Sequence, residues 1–328
     1  MSLAVQQVPP KSGRPKSRFY TVAQRIASRY EPAVAQAFLR AIERLIARID
    51  DAALISALAG GDINMILGAV GQFDELATDI ELRKALTAAG RATGEAAAQV
   101  LRDAGFGARF NAIDPNVVMF ARAQAAELVV AISNDVRDAI RIVLALGNQF
   151  GLTVDQQARA IREVVGLPPN WVDAPLNLRR ELEAGRFTQT RRLSAIEKAQ
   201  IRKRLREGTM DEAFIQRMEA RYAASLRNRR ALNIARTETL RASHHGQRLS
   251  WKQAMQQGVL PQNVRRRWIV TPDDRLRDTH AAVPGMNPEG VRIDQPFQTP
   301  LGPVMDPPLE VNCRCGVGLT FPGLVGVL

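Results

Sequence analysis

The chain has 328 residues, 46% of them hydrophobic and only 5% aromatic, with two cysteines and a formal net charge of +12. That length suits two domains, and the cysteine count excludes a disulfide-stapled secreted scaffold. The apolar residues are mainly Ala, Leu, Val and Ile, a mixture that favours helix packing over a large sheet.

A basic excess lowers the free energy of approach to any polyanion. No apolar run approaches the roughly 18 residues that cross a bilayer, and the opening segment has no apolar core of signal-peptide length. The expectation is an intracellular product with no membrane partner. The charge is unevenly spread. Residues 1–170 carry 19 basic and 17 acidic side chains, whereas residues 186–248 alone carry 16 and 6.

In chain order, residues 1–18 combine Lys11, Arg14, Lys16 and Arg18 with Pro9, Pro10, Gly13 and Pro15, which reads as a flexible basic arm. Helical periodicity starts after Pro32, where Val34, Phe38, Ile42, Leu45 and Ile49 form one stripe, and Gly60-Gly61 breaks it. An Ala-rich helix is expected over about 82–101. Asp114-Pro115 opens the strongest helix, with a stripe of Val118, Ala121, Ala125, Leu128, Ile132, Val136, Ile140 and Val143 that Gly147 ends. Thr153-Val-Asp-Gln156 has the form of a capping box, opening a short helix that stops near Gly166. The connector 167–178 reads as a domain or subdomain boundary. Further helices are expected at about 190–207, 211–226 and 229–257. After Gly258 the texture changes. Residues 264–270 and 316–321 suit strands, 272–310 suits turns, and Thr299-Pro-Leu-Gly302 suits a chain reversal.

The fold class expected is mainly α: a helical N-terminal body, a basic helical segment, and a small irregular α+β C-terminal module. The divisions are an arm (1–18), a helical domain (19–150) and a C-terminal domain (151–328).

Four pieces stand in a fixed order in the second half: Ala235-Arg236-Thr-Glu238; Trp268 near Asp274-Arg-Leu-Arg277-Asp-Thr-His280; Pro307-Pro308; and Asn312-Cys313-Arg-Cys315. Together they resemble the C-terminal domain of the Mu F-type phage head morphogenesis (minor head protein) family, over roughly 153–321. The resemblance implies a virion structural protein in few copies, acting in head or procapsid assembly. It implies portal, inner capsid and scaffold partners, and a place in the capsid interior or portal vertex after assembly in the host cytoplasm. Some members are linked with DNA delivery, so a part in ejection is implied too. It also assigns Arg236, Glu238, Trp268, Asp274, Arg277, His280, Asn312, Cys313 and Cys315 to a structural motif. Many members carry a Cys-x-x-Cys pair near the position of Arg277 and His280, and a His where this chain has Glu310. This chain departs from the family pattern there.

Three features carry competing readings. The basic helices offer Arg191, Arg192, Arg202, Lys203, Arg204, Arg206, Arg227, Arg229 and Arg230 for non-specific contact with the phosphates of double-stranded DNA. The same charges also suit a merely solvated face. His280, Cys313 and Cys315 supply three of the four ligands of a zinc site, the fourth being Asp274, Asp278 or Glu310. Alternatively, these three are packed residues that knit a loop-rich module. Glu238 is expected to pair with Arg275 or Arg277 as a structural hub. The alternative is a phage-encoded enzyme, of transferase or nuclease-like toxin type, with Glu238 and His280 as acid–base groups. No Gly-rich phosphate loop, nucleophile elbow or paired-His metalloprotease motif supports catalysis, so the expectation is not an enzyme. His244 and His245 are expected at the surface or partly packed, and Trp251 and Trp268 in the core.

Overall fold

The computed structural model describes residues 17–71, 80–189, 191–271 and 273–321. Most of the expected arm and most of the apolar tail 321–328 lie outside the described residues. The described residues are 68% helical with a small three-stranded antiparallel sheet near the C-terminus, in agreement with the class expected.

Helix α1 (Arg18–Arg48) begins well before Pro32 and carries that proline inside it. The expected start was therefore late, and the basic residues Arg18, Arg25 and Arg29 are helical. Helix α2 (Asp51–Gly60) closes on Gly61 in the left-handed region, φ 70°, the conformation glycine adopts without penalty. Helices α3 (Ile63–Val70) and α4 (Ile80–Asp103) follow. Helix α5 (Pro115–Phe150) runs through Gly147 and three residues beyond it. Its buried stripe is Val117, Ala121, Ala125, Val129, Ile132, Val136, Ile140 and Val143, so Val117 and Val129 take the inward places expected of Val118 and Leu128.

Helix α5 corrects one expectation. It is long and apolar enough to cross a membrane by length and composition, with an 18-residue window of mean hydropathy 1.3 that is 33% buried.

Helix α6 (Val154–Val164) starts at the Thr153–Gln156 capping box with both reciprocal bonds made. The expected connector contains a 3₁₀ turn (Pro169–Trp171) and the start of α7 (Asp173–Glu183). Helix α8 (Ala195–Glu207) has its own capping box, Ser194 with Glu197, and ends on Gly208. Two helices were expected at 211–226 and 229–257, but α9 (Glu212–Gln256) is a single helix of 45 residues. Asn228 and Arg229 leave the backbone ladder intact, so no break occurs. Strand β1 (Arg265–Ile269) pairs antiparallel with β2 (Val291–Arg292) on one side and β3 (Gly316–Thr320) on the other, setting Trp268 opposite Val317. Between β1 and β2 lie two single turns, α10 (Asp278–Ala281) and α11 (Val283–Met286). Thr299–Gly302 does reverse the chain, since Phe297 and Val304 bridge across it.

Two compact units result. One gathers 1–34, 80–124 and 233–328, the other 35–79 and 125–232. Helices α1, α5 and α9 contribute residues to both. In the first unit Phe19, Leu101, Trp251, Trp268, Val283, Phe297, Cys313, Cys315 and Leu319 share one hydrophobic core. Phe19 meets Trp251 edge-on at 5.0 Å and Phe297 meets Trp268 edge-on at 5.2 Å. Helices α4 and α9 approach closely at two glycines. A Cβ on Gly246 would lie 1.9 Å from the Gly90 carbonyl oxygen, so the backbones touch where a side chain would stand.

Candidate functional site

The sheet-bearing unit collects all nine motif residues. Asn312 is the hinge of the arrangement. Its φ is 60°, positive and not glycine, a conformation Asn tolerates better than most residues. Its backbone N–H donates to Thr237 Oγ1 at 3.2 Å, and its side-chain amide donates to Asn233 Oδ1 at 2.9 Å. The Asn-Cys-Arg-Cys loop is thereby stitched to one turn of α9, the turn that also carries Arg236.

From that hinge Cys313 and Cys315 turn into the core, each 1% exposed, beside His280 at 3%. Both are free thiols. His280 Nδ1 lies 3.6 Å from Cys313 Sγ and 3.4 Å from Cys315 Sγ. One ligand atom from each of the three residues falls within 4.8 Å of the others. The sulfur–sulfur hydrogen bond holds the Cys313 thiol well below its usual range against the effect of burial, and it pushes Cys315 up. On the far side of the imidazole, Nε2 meets Glu310 Oε2 at 3.0 Å, and Thr279 donates to the same oxygen. Glu310 therefore occupies the outer position, orienting the ring, rather than facing the thiols. Asp274 and Asp278 are exposed. The donors that converge are His280, Cys313 and Cys315, a set whose chemistry suits zinc, with an outer carboxylate of the kind that steadies a ligating histidine.

Glu238 departs from its expected partners. Gln124 Nε2 donates to both its carbonyl and its carboxylate at 2.7 Å, and Arg241 reaches it at 2.9 Å. Arg277 instead donates to the Val311 carbonyl at 3.0 Å and stands 4.0 Å from Glu310. The hydrogen bonds of Glu238 run to Gln124 and Arg241, and those of His280 to Glu310 and the two cysteines. His244 departs from expectation, whereas His245 is partly packed as expected. His244 is 1% exposed. His245 stacks on Phe120 at 3.7 Å, and burial together with Arg248 depresses it to about 4. The glycines that let α4 and α9 touch bring this part of α9 into the interior.

The sequence reading missed the strongest polar centre, which lies in the same unit. Arg266, in the run Arg265-Arg-Arg267, reads as surface charge, yet its side chain is fully buried. It donates to Asp306 at 2.6 Å, to the Met305 carbonyl at 2.7 Å and to the carbonyls of Arg292 and Gln295. Arg248 completes the pairing of Asp306 at 2.7 Å. Burial would raise Asp306, but Arg248 and Arg266 more than reverse that and hold its carboxyl below the usual range. Period-two alternation between exposed Arg267 and its inward neighbours was the available signal.

The predicted nucleic-acid contacts all fall in the other unit, where they divide. Arg192, Arg202, Lys203 and Arg206 are exposed. Arg191 is bound to Glu181 and Arg204 to Asp211. Arg229 lies over the Trp171 ring. Arg227 donates to the Glu163 carbonyl at 2.8 Å, and Arg230 is tied to Asp135 and the Gly166 carbonyl. With side chains 15% and 8% exposed, neither can touch a phosphate unless its pairing opens.

A helical body carrying a compact, loop-knitted C-terminal module with an inward Cys-x-Cys and His is the class of protein defined here. Residues 194–318 match the family described as Phage Mu protein F like protein, and over that segment the chain is similar to it. The match is shorter than the expected span of 153–321. The family suggests a phage head morphogenesis protein associated with the virion and other capsid components, in a structural role. No curated protein and no solved structure matches the chain.

Proposed function

We propose that the chain is a minor head protein, present in few copies, that acts in procapsid assembly at the portal or inner capsid face and helps deliver the genome. The observation that carries this reading is the Phage Mu protein F like match over 194–318. The proposal extends to double-stranded DNA, contacted without sequence readout through Arg192, Arg202, Lys203 and Arg206. These four side chains are solvent-facing, and α8 carries three of them within five residues. Contacts of this kind weaken steeply with salt. The test is co-purification with procapsids, together with duplex binding across a salt series. A chain absent from both procapsids and mature particles would end the structural reading. Wild-type protein without salt-dependent duplex affinity would end the DNA contact.

One observation favours a second reading of the module: the convergence of His280, Cys313 and Cys315. These residues would hold a zinc ion, with Glu310 fixing the imidazole, and the ion would cross-link two loops otherwise joined by few backbone bonds. Metal analysis of purified protein is expected to give about one equivalent of zinc per chain. Metal-free protein with an unchanged melting temperature would leave the three as packed core residues.

A further inference from the structure

In front of the Cys-His cluster lies a cavity of about 310 Å³, lined by Asn233, Arg236, Thr271, Arg275, Arg277, Asn312 and Arg314 among others. Four arginines and no carboxylate line it. The neighbouring acids are already committed. Asp273 takes both terminal nitrogens of Arg314, and Glu310 is shared between His280, Thr279 and Arg277. Arg236 and Arg275 make no ion pair among the described residues. Glu31 feels the charge of Arg236, and its carboxyl is still raised, because burial outweighs that attraction. Two guanidiniums therefore face the cavity without a carboxylate hydrogen-bonded to them among the described residues, and Glu31 and Asp273 attract them only at a distance.

The walls are also fixed in advance. Tyr20 and Thr271 hydroxyls both donate to the Arg314 carbonyl, at 3.1 and 3.0 Å. Asn312 is tied to Asn233 and Thr237 on either side of Arg236. A site whose donors are held before the ligand arrives loses less freedom on binding. Planar guanidinium forks match the oxygens of phosphate better than any other side chain. Thr271, Asn233 and Asn312 add neutral polar groups of the kind that orient an oxyanion.

We propose that this cavity is a phosphate site, taking one phosphate group of a phosphodiester or phosphomonoester on Arg236 and Arg275, with Arg277 and Arg314 as its flanks. It lies in the sheet-bearing unit and is independent of the contacts proposed for α8. A volume of this size is at the small end of ligand cavities and admits a phosphate with part of what it esterifies.

The experiment titrates the full chain with inorganic phosphate by calorimetry, and separately with a labelled duplex. Both titrations compare wild type with the double variant Arg236→Gln/Arg275→Gln. Both side chains are exposed, so the variant is expected to fold, and its melting temperature checks that. Phosphate binding is expected to weaken about tenfold or more when the two charged donors go. Duplex affinity falling in parallel identifies nucleic acid as the source of the phosphate. Duplex affinity left unchanged identifies a small phosphate ester, with the site itself upheld. Wild-type protein that does not bind phosphate, or a folded double variant that binds it as wild type does, overturns the proposal. Neither result touches the DNA contact of α8, which Arg202→Gln/Lys203→Gln/Arg206→Gln tests on its own.

Discussion

In the sheet-bearing unit, the buried guanidinium of Arg266 meets one acid and three backbone carbonyls, and that acid has a second arginine, Arg248. In the other unit, the buried carboxylate of Glu219 meets Arg179 at 3.3 Å, an arginine already shared with Glu183 and Glu212. Burial shifts both groups toward neutrality, taking Arg266 down to about 10 and Glu219 up to about 7. The outcome differs because of the partners. Arg266 remains fully charged at neutral pH, whereas Glu219 is poised at its own titration point. Buried charge is tolerated when its hydrogen-bonding capacity is filled by fixed groups, and it becomes a liability when one counter-charge is divided among several acids.

The largest expected effect follows from removing the shared acid of the well-satisfied centre. Asp306→Ala leaves Arg266 buried without a carboxylate and takes one from Arg248, a change expected to cost about 3–5 kcal/mol. Urea denaturation followed through Trp251 and Trp268, both in that unit, measures it. A loss under about 1 kcal/mol would show that the carbonyls alone suffice, and the contrast with Glu219 would lose its basis. Gly246→Ala comes next. The added methyl enters the Gly90 carbonyl, and forced separation of α4 and α9 is expected to cost about 1–3 kcal/mol or more. Unchanged stability would mean that the two helices part freely.

The two units are expected to respond to pH with opposite signs. Glu219 has a folded pKa of about 7 against 4.5. From pH 4.5 to 7 the folded chain keeps a proton that the unfolded chain has released, so stability falls as pH rises. His245 has a folded pKa of about 4 against 6.5. Between those values the unfolded chain binds the proton, so stability falls as pH drops. Glu219→Gln should therefore stabilise at pH 8, by about 1–3 kcal/mol, and leave stability at pH 4 nearly unchanged. His245→Gln should flatten the acid limb instead. Melting curves from pH 4 to 8 on the two variants separate these contributions. Equal effects of Glu219→Gln at both ends would show that its carboxylate is solvated after all.

Legibility in the sequence tracked how local the determining physics was. Helix starts at Asp114-Pro115 and Thr153, the stop at Gly61, the reversal at Thr299–Gly302 and the pairing segments 264–270 and 316–321 each depend on neighbours within a few residues. All were readable. The family motif was readable because its order along the chain survives, and so was the meeting of His280 with Cys313 and Cys315. The burial of Arg266 depends on Asp306 and on carbonyls 26–40 residues away, which no local pattern encodes. The unexpected partner of Glu238 depends likewise on distant packing, through Gln124. A run of three arginines resembles a surface patch until the sheet turns one of them inward.

The smallest effect tests the same idea from its legible end. Thr153 caps α6 by accepting from the Gln156 N–H, while Gln156 returns a bond to the Thr153 N–H at 2.8 Å. Both residues are solvent-accessible, so water replaces whatever a mutation removes. Thr153→Ala should cost about 1 kcal/mol, well below the loss expected at Asp306. The ordering follows from desolvation, because a cap at the surface exchanges one partner for water, whereas the buried acid has no substitute. Denaturation of the two variants under one set of conditions measures the ratio. A Thr153→Ala loss as large as that of Asp306→Ala would mean that α6 controls the stability of its whole unit, and that burial is not what separates the strong positions from the weak.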